Sequence, residues 1–256
     1  MNFLTGLIII VALYAGAKAF YVPVITDFAD GCPLQSESGL QVGDRLVSID
    51  GERVYVYSDV SLLLGRNKTG VFDLKVKRDG QTVTLKDFPM ERAEYTDQQG
   101  QTYTGFGLMF GAEEATVGSR LRYSWNNAVD FVRIVRLSLQ MLVTGEAGLK
   151  DVSGPVGIVS TITDVGEQAE SASAAVENIA YLAALLAVNL AVMNLLPLPA
   201  LDGGKIFFLV VNALCMLTIR KKIPEKFESY VHLAGFALLM LLMLVITFQD
   251  VWKLFQ

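Results

Sequence analysis

Apolar and polar positions follow two rhythms along this chain. Between residues 21 and 90 they alternate as in strands. YVPVITDF, DRLVSIDGERV and FDLKVKRDGQTVTL carry that alternation, and the dipeptides Asp50-Gly51 and Asp79-Gly80 mark turns. Residues 57–65 fit a short helix with Ser58 as its cap. Elsewhere the apolar positions run together. Residues 1–17, 178–201 and 229–249 are free of charge, and each is close to the roughly 20 residues that a bilayer-spanning helix needs. Residues 206–219 form a run of 14, short for a full span and suited to a half-buried or re-entrant continuation.

Two further segments complete the pattern. Residues 91–119 are polar and Gly-rich and read as a linker with a strand or two. From residue 120 to 145 the period is helical. Asn126, Asp130, Arg133, Arg136 and Gln140 recur every three or four residues as one narrow polar stripe on an otherwise apolar helix. So wide an apolar face predicts a helix lying on a membrane or packed against other helices, with a soluble core helix as the alternative. The fold class expected is a multi-pass α-helical membrane protein with an inserted small mixed, mostly β domain. Its parts are a transmembrane helix in 1–20, the small domain in 21–90, the linker, the amphipathic helix, and a membrane domain in 146–256.

Composition agrees. The chain is 52% hydrophobic and 18% charged, with a mean hydropathy of +0.43, too apolar for an ordinary soluble domain. A net charge of -5 without a dense Lys/Arg patch excludes nucleic acid as a partner and leaves the lipid bilayer as one. Cys32 lies in a polar loop and Cys215 in an apolar run, so no pairing is expected. The first apolar run lacks a basic start, which favours a retained helix over a signal peptide, although Ala15-Gly16-Ala17 has the spacing of a cleavage site. Arg220, Lys221, Lys222 and Lys226 make a short basic loop, expected on the cytoplasmic side. The last helix then runs outward, Asp202 lies near the cytoplasmic face, and residues 21–177 lie outside. This topology requires that the 14-residue run does not cross.

The candidate chemistry sits in NLLPLPALDGGK, residues 194–205. A carboxylate closing an apolar run is costly unless it meets water, a partner or a metal. Asp202 taken alone fits a membrane-boundary residue capping the next helix. Its neighbours change that reading. Pro197 and Pro199 remove backbone donors two residues apart. Asn194 brings an amide able to hold extended backbone, and Gly203 and Gly204 permit close approach. Together they predict an unwound, polar, buried site.

Two resemblances give these segments a context. SGLQVGDRLVSIDG, residues 38–51, resembles the core of a PDZ domain in its permuted bacterial form. Gly39 and Gly43 would permit its turns, Leu40, Leu46 and Ile49 would fill its core, and Asp44 completes the motif. NLLPLPALDGG resembles a segment of the site-2 protease family, intramembrane zinc metalloproteases of the bacterial RseP type. SGPVGIVSTI at 153–162, MNFLTGLIIIVAL at the start and the final run from His232 to a terminal Asp250-Val251 resemble other family segments, in the family's order. The resemblance implies Zn2+ as cofactor with Asp202 as its third ligand, and a substrate cleft lined by Asn194, Pro197 and Pro199. It also implies transmembrane proteins as substrates and a bacterial inner-membrane location.

The family's H-E-x-x-H, which supplies two zinc ligands and the general-base glutamate, is absent from this sequence. Its only histidine, His232, stands where the family places no ligand and reads as a helix-end residue. Asp202 is thus the one credible ligand, and no catalytic residue is assigned. The expectation is that Met1 is an internal methionine and that upstream DNA encodes H-E-x-x-H. The alternative is a non-catalytic pseudoprotease or membrane-anchored PDZ module. A transporter is a third class, made less fitting by the external domain.

Overall fold

The computed structural model of the chain describes residues 1–96, 100, 102–218 and 222–253. Two compact units result, one formed by Tyr14–Asp130 and one by Met1–Leu13 with Phe131–Gln256.

The first unit is built on antiparallel strands: β1 (Ala19–Phe28), β2 (Arg45–Ile49), β3 (Glu52–Arg53), β4 (Val71–Arg78), β5 (Gln81–Pro89), β6 (Ala93–Thr96), β7 (Thr102–Gly105) and β8 (Leu108–Glu114). The main sheet runs β5-β4-β2-β1-β8, with β3 paired to β2. Asp50 and Gly51 have φ of 50° and 81°, and Asp79 and Gly80 have 48° and 83°. Positive φ at both central residues is the mark of a type I′ hairpin turn, whose twist matches that of the strands it joins. The alternation in β4 places Phe72, Leu74 and Val76 inside. There they join Ile25, Leu40, Leu46 and Ile49 in one core.

Helix α2 (Ser58–Arg66) closes this core with Val60, Leu63 and Leu64. Its N-cap is Tyr57 and not Ser58, and no cap side chain bonds the first turn. Asp59 is buried instead and accepts from the Tyr55 and Val56 amides at 2.5 and 2.9 Å, fixing the entry of the chain into the helix. The segment 91–119, expected as a linker with a strand or two, carries the hairpin β6–β7 and the edge strand β8. Six residue pairs, from Ala19↔Glu114 to Phe28↔Leu108, bind β8 to β1.

The second unit holds α1 (Asn2–Ala15), the later part of α3 (Val117–Thr144), α4 (Pro155–Glu167), α5 (Ala172–Leu195), α6 (Asp202–Thr218) and α7 (Glu225–Lys253). Helices α5 and α7, 24 and 29 residues long, are long and apolar enough to cross a membrane. Helix α1 has 14 residues and is shorter than the expected span; at 1.5 Å per residue it extends about 21 Å against a hydrocarbon core of about 30 Å. Helix α6 has 17 residues. The basic loop that set the expected topology falls partly outside the described residues, at Arg220 and Lys221.

Close packing within this unit is set by small residues. A Cβ at Gly6 would lie 2.7 Å from Val188 Cγ2 and 2.9 Å from the Ala184 carbonyl, so α1 and α5 meet at backbone distance. In α3 the polar stripe is buried at Asp130 and Arg133, 2% and 6% exposed, and exposed at Arg136 and Gln140, while Leu121 and Trp125 on the apolar side are 56% and 54% exposed. Periodicity defines the stripe but not the side on which its neighbours lie.

Candidate functional site

Helix α5 stops at Leu195 because Pro197 and Pro199 carry no amide hydrogen for a further turn. Residues 196–201 cross over without helix. Leu198 N–H reaches back to the Leu196 carbonyl at 2.7 Å, and Leu201 N–H to the Leu198 carbonyl at 3.3 Å. Ala200 turns the chain with φ +74°, in the left-handed region that a side chain disfavours. Helix α6 then begins at Asp202, whose carboxylate stands in its first turn, where the helix dipole favours negative charge.

The glycine pair is required by this crossing. A Cβ at Gly203 would strike the Leu196 carbonyl oxygen, and one at Gly204 would strike that of Leu198. Helix α7 closes the other side. A Cβ at Gly235 would collide with Pro199 Cβ. Ala200 N–H donates to His232 Nδ1 at 2.9 Å. The His232 ring lies 5.5 Å from that of Phe208, and its Cε1 would stand 3.3 Å from a Cβ at Gly204.

The structure therefore gathers the sequence-read residues into one segment. Asn194 lies in the last turn of α5, Pro197 and Pro199 in the crossing, and Asp202 at the head of α6. It adds His232 and Gly235, 30 or more residues later, which the sequence reading left outside the site. The available signals were modest: His232 is the chain's only histidine, and Gly235 interrupts an apolar helix. Among the described residues no group of three His, Cys, Asp or Glu side chains converges. A hydrolytic zinc needs about three protein ligands. His232 Nδ1 is already engaged by a backbone donor, so Asp202 does not make a zinc site with the described residues alone.

A second pair of family-like segments also meets in this unit. Gly154 is the N-cap of α4 and Pro155 opens it. Asp250, near the end of α7, accepts from the Gly154 and Gly157 amides through Oδ2, both at 2.8 Å. This carboxylate supplies the cap that α4 lacks from its own neighbours.

In the first unit, the residues read as a PDZ motif form a tight corner. Leu40 is fully buried. Gly43 has φ +92°. Gly39 is needed for space, since its Cβ would approach Ser36 Oγ at 2.5 Å and the Leu34 carbonyl at 2.9 Å. Asp44 is 0% exposed and accepts from the Gln41 amide at 2.9 Å. It pairs bidentately with Arg78, whose Nε and Nη2 lie 2.8 and 2.7 Å from its oxygens, and Nη2 also donates to the Gly39 carbonyl at 2.7 Å. The hydrogen bond to Asp44 raises the Arg78 pKa above its ordinary value. A groove of about 260 Å³ runs between α2 and the start of β8, lined in part by Tyr57, Ser61, Leu64, Phe106 and Leu108.

Comparison with known proteins gives these features a family. Residues 1–242 match Peptidase family M50. The chain is 34% identical over 258 residues to the regulator of sigma-W protease RasP of Bacillus subtilis, covering 100% of this chain and 57% of that protein. Similarity to the zinc metalloprotease RasP of Geobacillus kaustophilus is 34% over 99% of this chain and 57% of the relative. To that of Shouchella clausii it is 31% over 100% and 58%. The chain thus spans somewhat over half the length of these relatives. A match of this extent, which takes in the crossing and the Leu201-Asp202-Gly203 that follows it, shows that the chain belongs to Peptidase family M50.

Proposed function

We propose that this chain forms part of an intramembrane zinc metalloprotease that cleaves transmembrane segments of other membrane proteins. The observation that carries the reading is the crossing at 196–201, a break between two apolar helices that delivers Asp202 to the head of α6. Such a break is tolerated at membrane depth where it lines a protein cavity or water. Asp202 is the one zinc ligand this reading assigns among these 256 residues, and the reading requires two further ligands and a general base, which the family draws from an H-E-x-x-H motif that these residues do not contain. Asn194, Pro197 and Pro199 line the place where a substrate helix unwinds. A peptide segment must be extended to be hydrolysed, and the crossing is itself non-helical; its amides at Leu198, Ala200 and Leu201 are bonded within the unit, so pairing with an extended strand would use its carbonyl groups. The unit of residues 14–130 is a PDZ-like domain on the outer side of the bacterial inner membrane. Its support is the edge strand β8, the groove beside α2 and the Gly39–Asp44 corner. There it screens the external part of a substrate.

The test is made on the product of the whole locus. Bound zinc is quantified and cleavage of a model transmembrane substrate is followed, with Asp202→Asn as control. Zinc together with cleavage that Asp202→Asn abolishes supports the protease. A locus product that carries H-E-x-x-H yet holds no zinc and cleaves nothing refutes it and leaves a substrate-holding pseudoprotease.

A further inference from the structure

His232 is the histidine that the proposed chemistry does not use, yet it sits against the segment that does. Its Nδ1 accepts the Ala200 amide at 2.9 Å. Accepting from a backbone N–H requires a free lone pair, so the ring proton is on Nε2. That nitrogen is buried and has no hydrogen-bond partner among the described residues; the nearest carboxylate oxygen, of Glu228, lies 3.9 Å away. The ring is wedged from two sides. Phe208 and the bare face of Gly204 belong to α6, and one turn along α7 the bare face of Gly235 lets Pro199 approach. Ala200 is the residue held, and it is one of four non-glycine residues with positive φ among those described. The other three, Asp50, Asp79 and Asp87, are aspartates, which visit this region more readily than alanine does. Nothing intrinsic to Ala200 favours its conformation, and the contact from α7 supplies what the residue lacks.

We infer that His232 is a positioning residue for the proposed zinc ligand. By holding the Ala200 amide it fixes the left-handed turn, and with it the direction in which Asp202, two residues on, leaves the crossing. The inference rests on the reading of Asp202 given above. It also makes α7 a structural partner of the site and not only an anchor.

The experiment uses four variants. His232→Phe keeps a ring and removes the acceptor. His232→Asn places a carbonyl where Nδ1 stands, and His232→Gln places the same group one bond too far. Ala200→Gly makes the left-handed turn accessible without help. Amide hydrogen exchange is measured on the 256-residue chain in lipid nanodiscs, over peptides spanning residues 198–204. The Ala200 amide should exchange at least tenfold faster in the Phe and Gln variants and within threefold of wild type in the Asn variant. In the locus product, His232→Phe should lower kcat for a transmembrane substrate at least tenfold with KM within twofold, and adding Ala200→Gly should restore at least a third of the loss. Unchanged exchange in His232→Phe overturns the inference. So does an Asn variant as fast as the Gln variant, or a double variant with no recovery, since simple packing would give either result. If the Phe variant fails to fold, the Asn and Gln pair decides. A wild-type locus product that does not cleave overturns the protease reading separately, and the exchange comparison still judges His232.

Discussion

Asp250→Ala tests how far the end of α7 supports the start of α4. The carboxylate is 4% exposed, and its Oδ2 holds the Gly154 and Gly157 amides at 2.8 Å each. Amides in a helix's first turn have no partner inside the helix, so their bonds must come from elsewhere. A hydrogen bond to a charged group contributes about 1.5–3 kcal/mol, and a buried donor left unpaired costs about 1–3 kcal/mol. These two figures describe the same loss and are not summed. The site is also tightly filled: a Cβ at Gly154 would lie 2.9 Å, and one at Gly157 3.1 Å, from an Asp250 oxygen. Removing the carboxylate therefore opens a small polar space that a water molecule can enter and partly satisfy. For two bonds lost and one water gained, the expected destabilisation is about 2–4 kcal/mol. Asp250→Asn keeps a carbonyl acceptor and gives up only the charge, so its cost should be about 1 kcal/mol. Denaturant unfolding in mixed micelles gives the free energies, and amide exchange at Gly157 gives the local effect. An alanine variant within about 0.5 kcal/mol of wild type would refute the capping argument. Equal losses for Ala and Asn would place the energy in the charge and not in the hydrogen bonds.

Three other outcomes are expected. Gly235→Ala drives a methyl group into Pro199; it should destabilise the chain by about 1–3 kcal/mol and speed amide exchange across 196–202, both read in nanodiscs. Asp44→Ala removes a fully buried carboxylate and leaves the half-buried Arg78 guanidinium and the Gln41 amide without it; it should cost about 1.5–3 kcal/mol in denaturant unfolding, while Asp27→Ala, on exposed surface, should cost far less. Burial raises the Tyr123 pKa above its ordinary value near 10. The stability this contributes is complete below that value and is lost as pH rises through the folded one, so unfolding curves above about pH 10 should fall more steeply for wild type than for Tyr123→Phe.

What the sequence disclosed follows from how local each signal is. The two Asp-Gly turns were legible because left-handed residue pairs have a composition of their own, and β4 because its period of two is uninterrupted. Strand β8 was not, since TGFGLMFGAEE has glycines where alternation would show and its partner β1 lies some 80 residues earlier. Ser58 looked like a cap by residue type, yet the N-cap is Tyr57, and the entry into the helix is held by Asp59 folding back on Tyr55 and Val56. At the candidate site, the breakers and the carboxylate were contiguous and therefore readable. The need for two glycines at 203 and 204 was visible as a motif, while its cause, the carbonyls of Leu196 and Leu198, required the path of the chain. His232 and Gly235 support that path from another helix, and no local pattern encodes a contact made across 32 residues.

The meeting of Gly6 with Val188 sets an order of assembly. Residue 188 follows residue 6 by 182 positions, and all of Tyr14–Asp130 lies between them in sequence. At about 5–20 residues per second, α1 leaves the ribosome roughly 9–36 s before the surface of α5 that receives it. Throughout that interval the bare backbone at Gly6 lacks the α5 partner against which it packs. The strand-rich unit is complete well before then and is free to fold on its own schedule. Biogenesis of the helical unit is in this sense a delayed closure, in which an early helix waits for a late one.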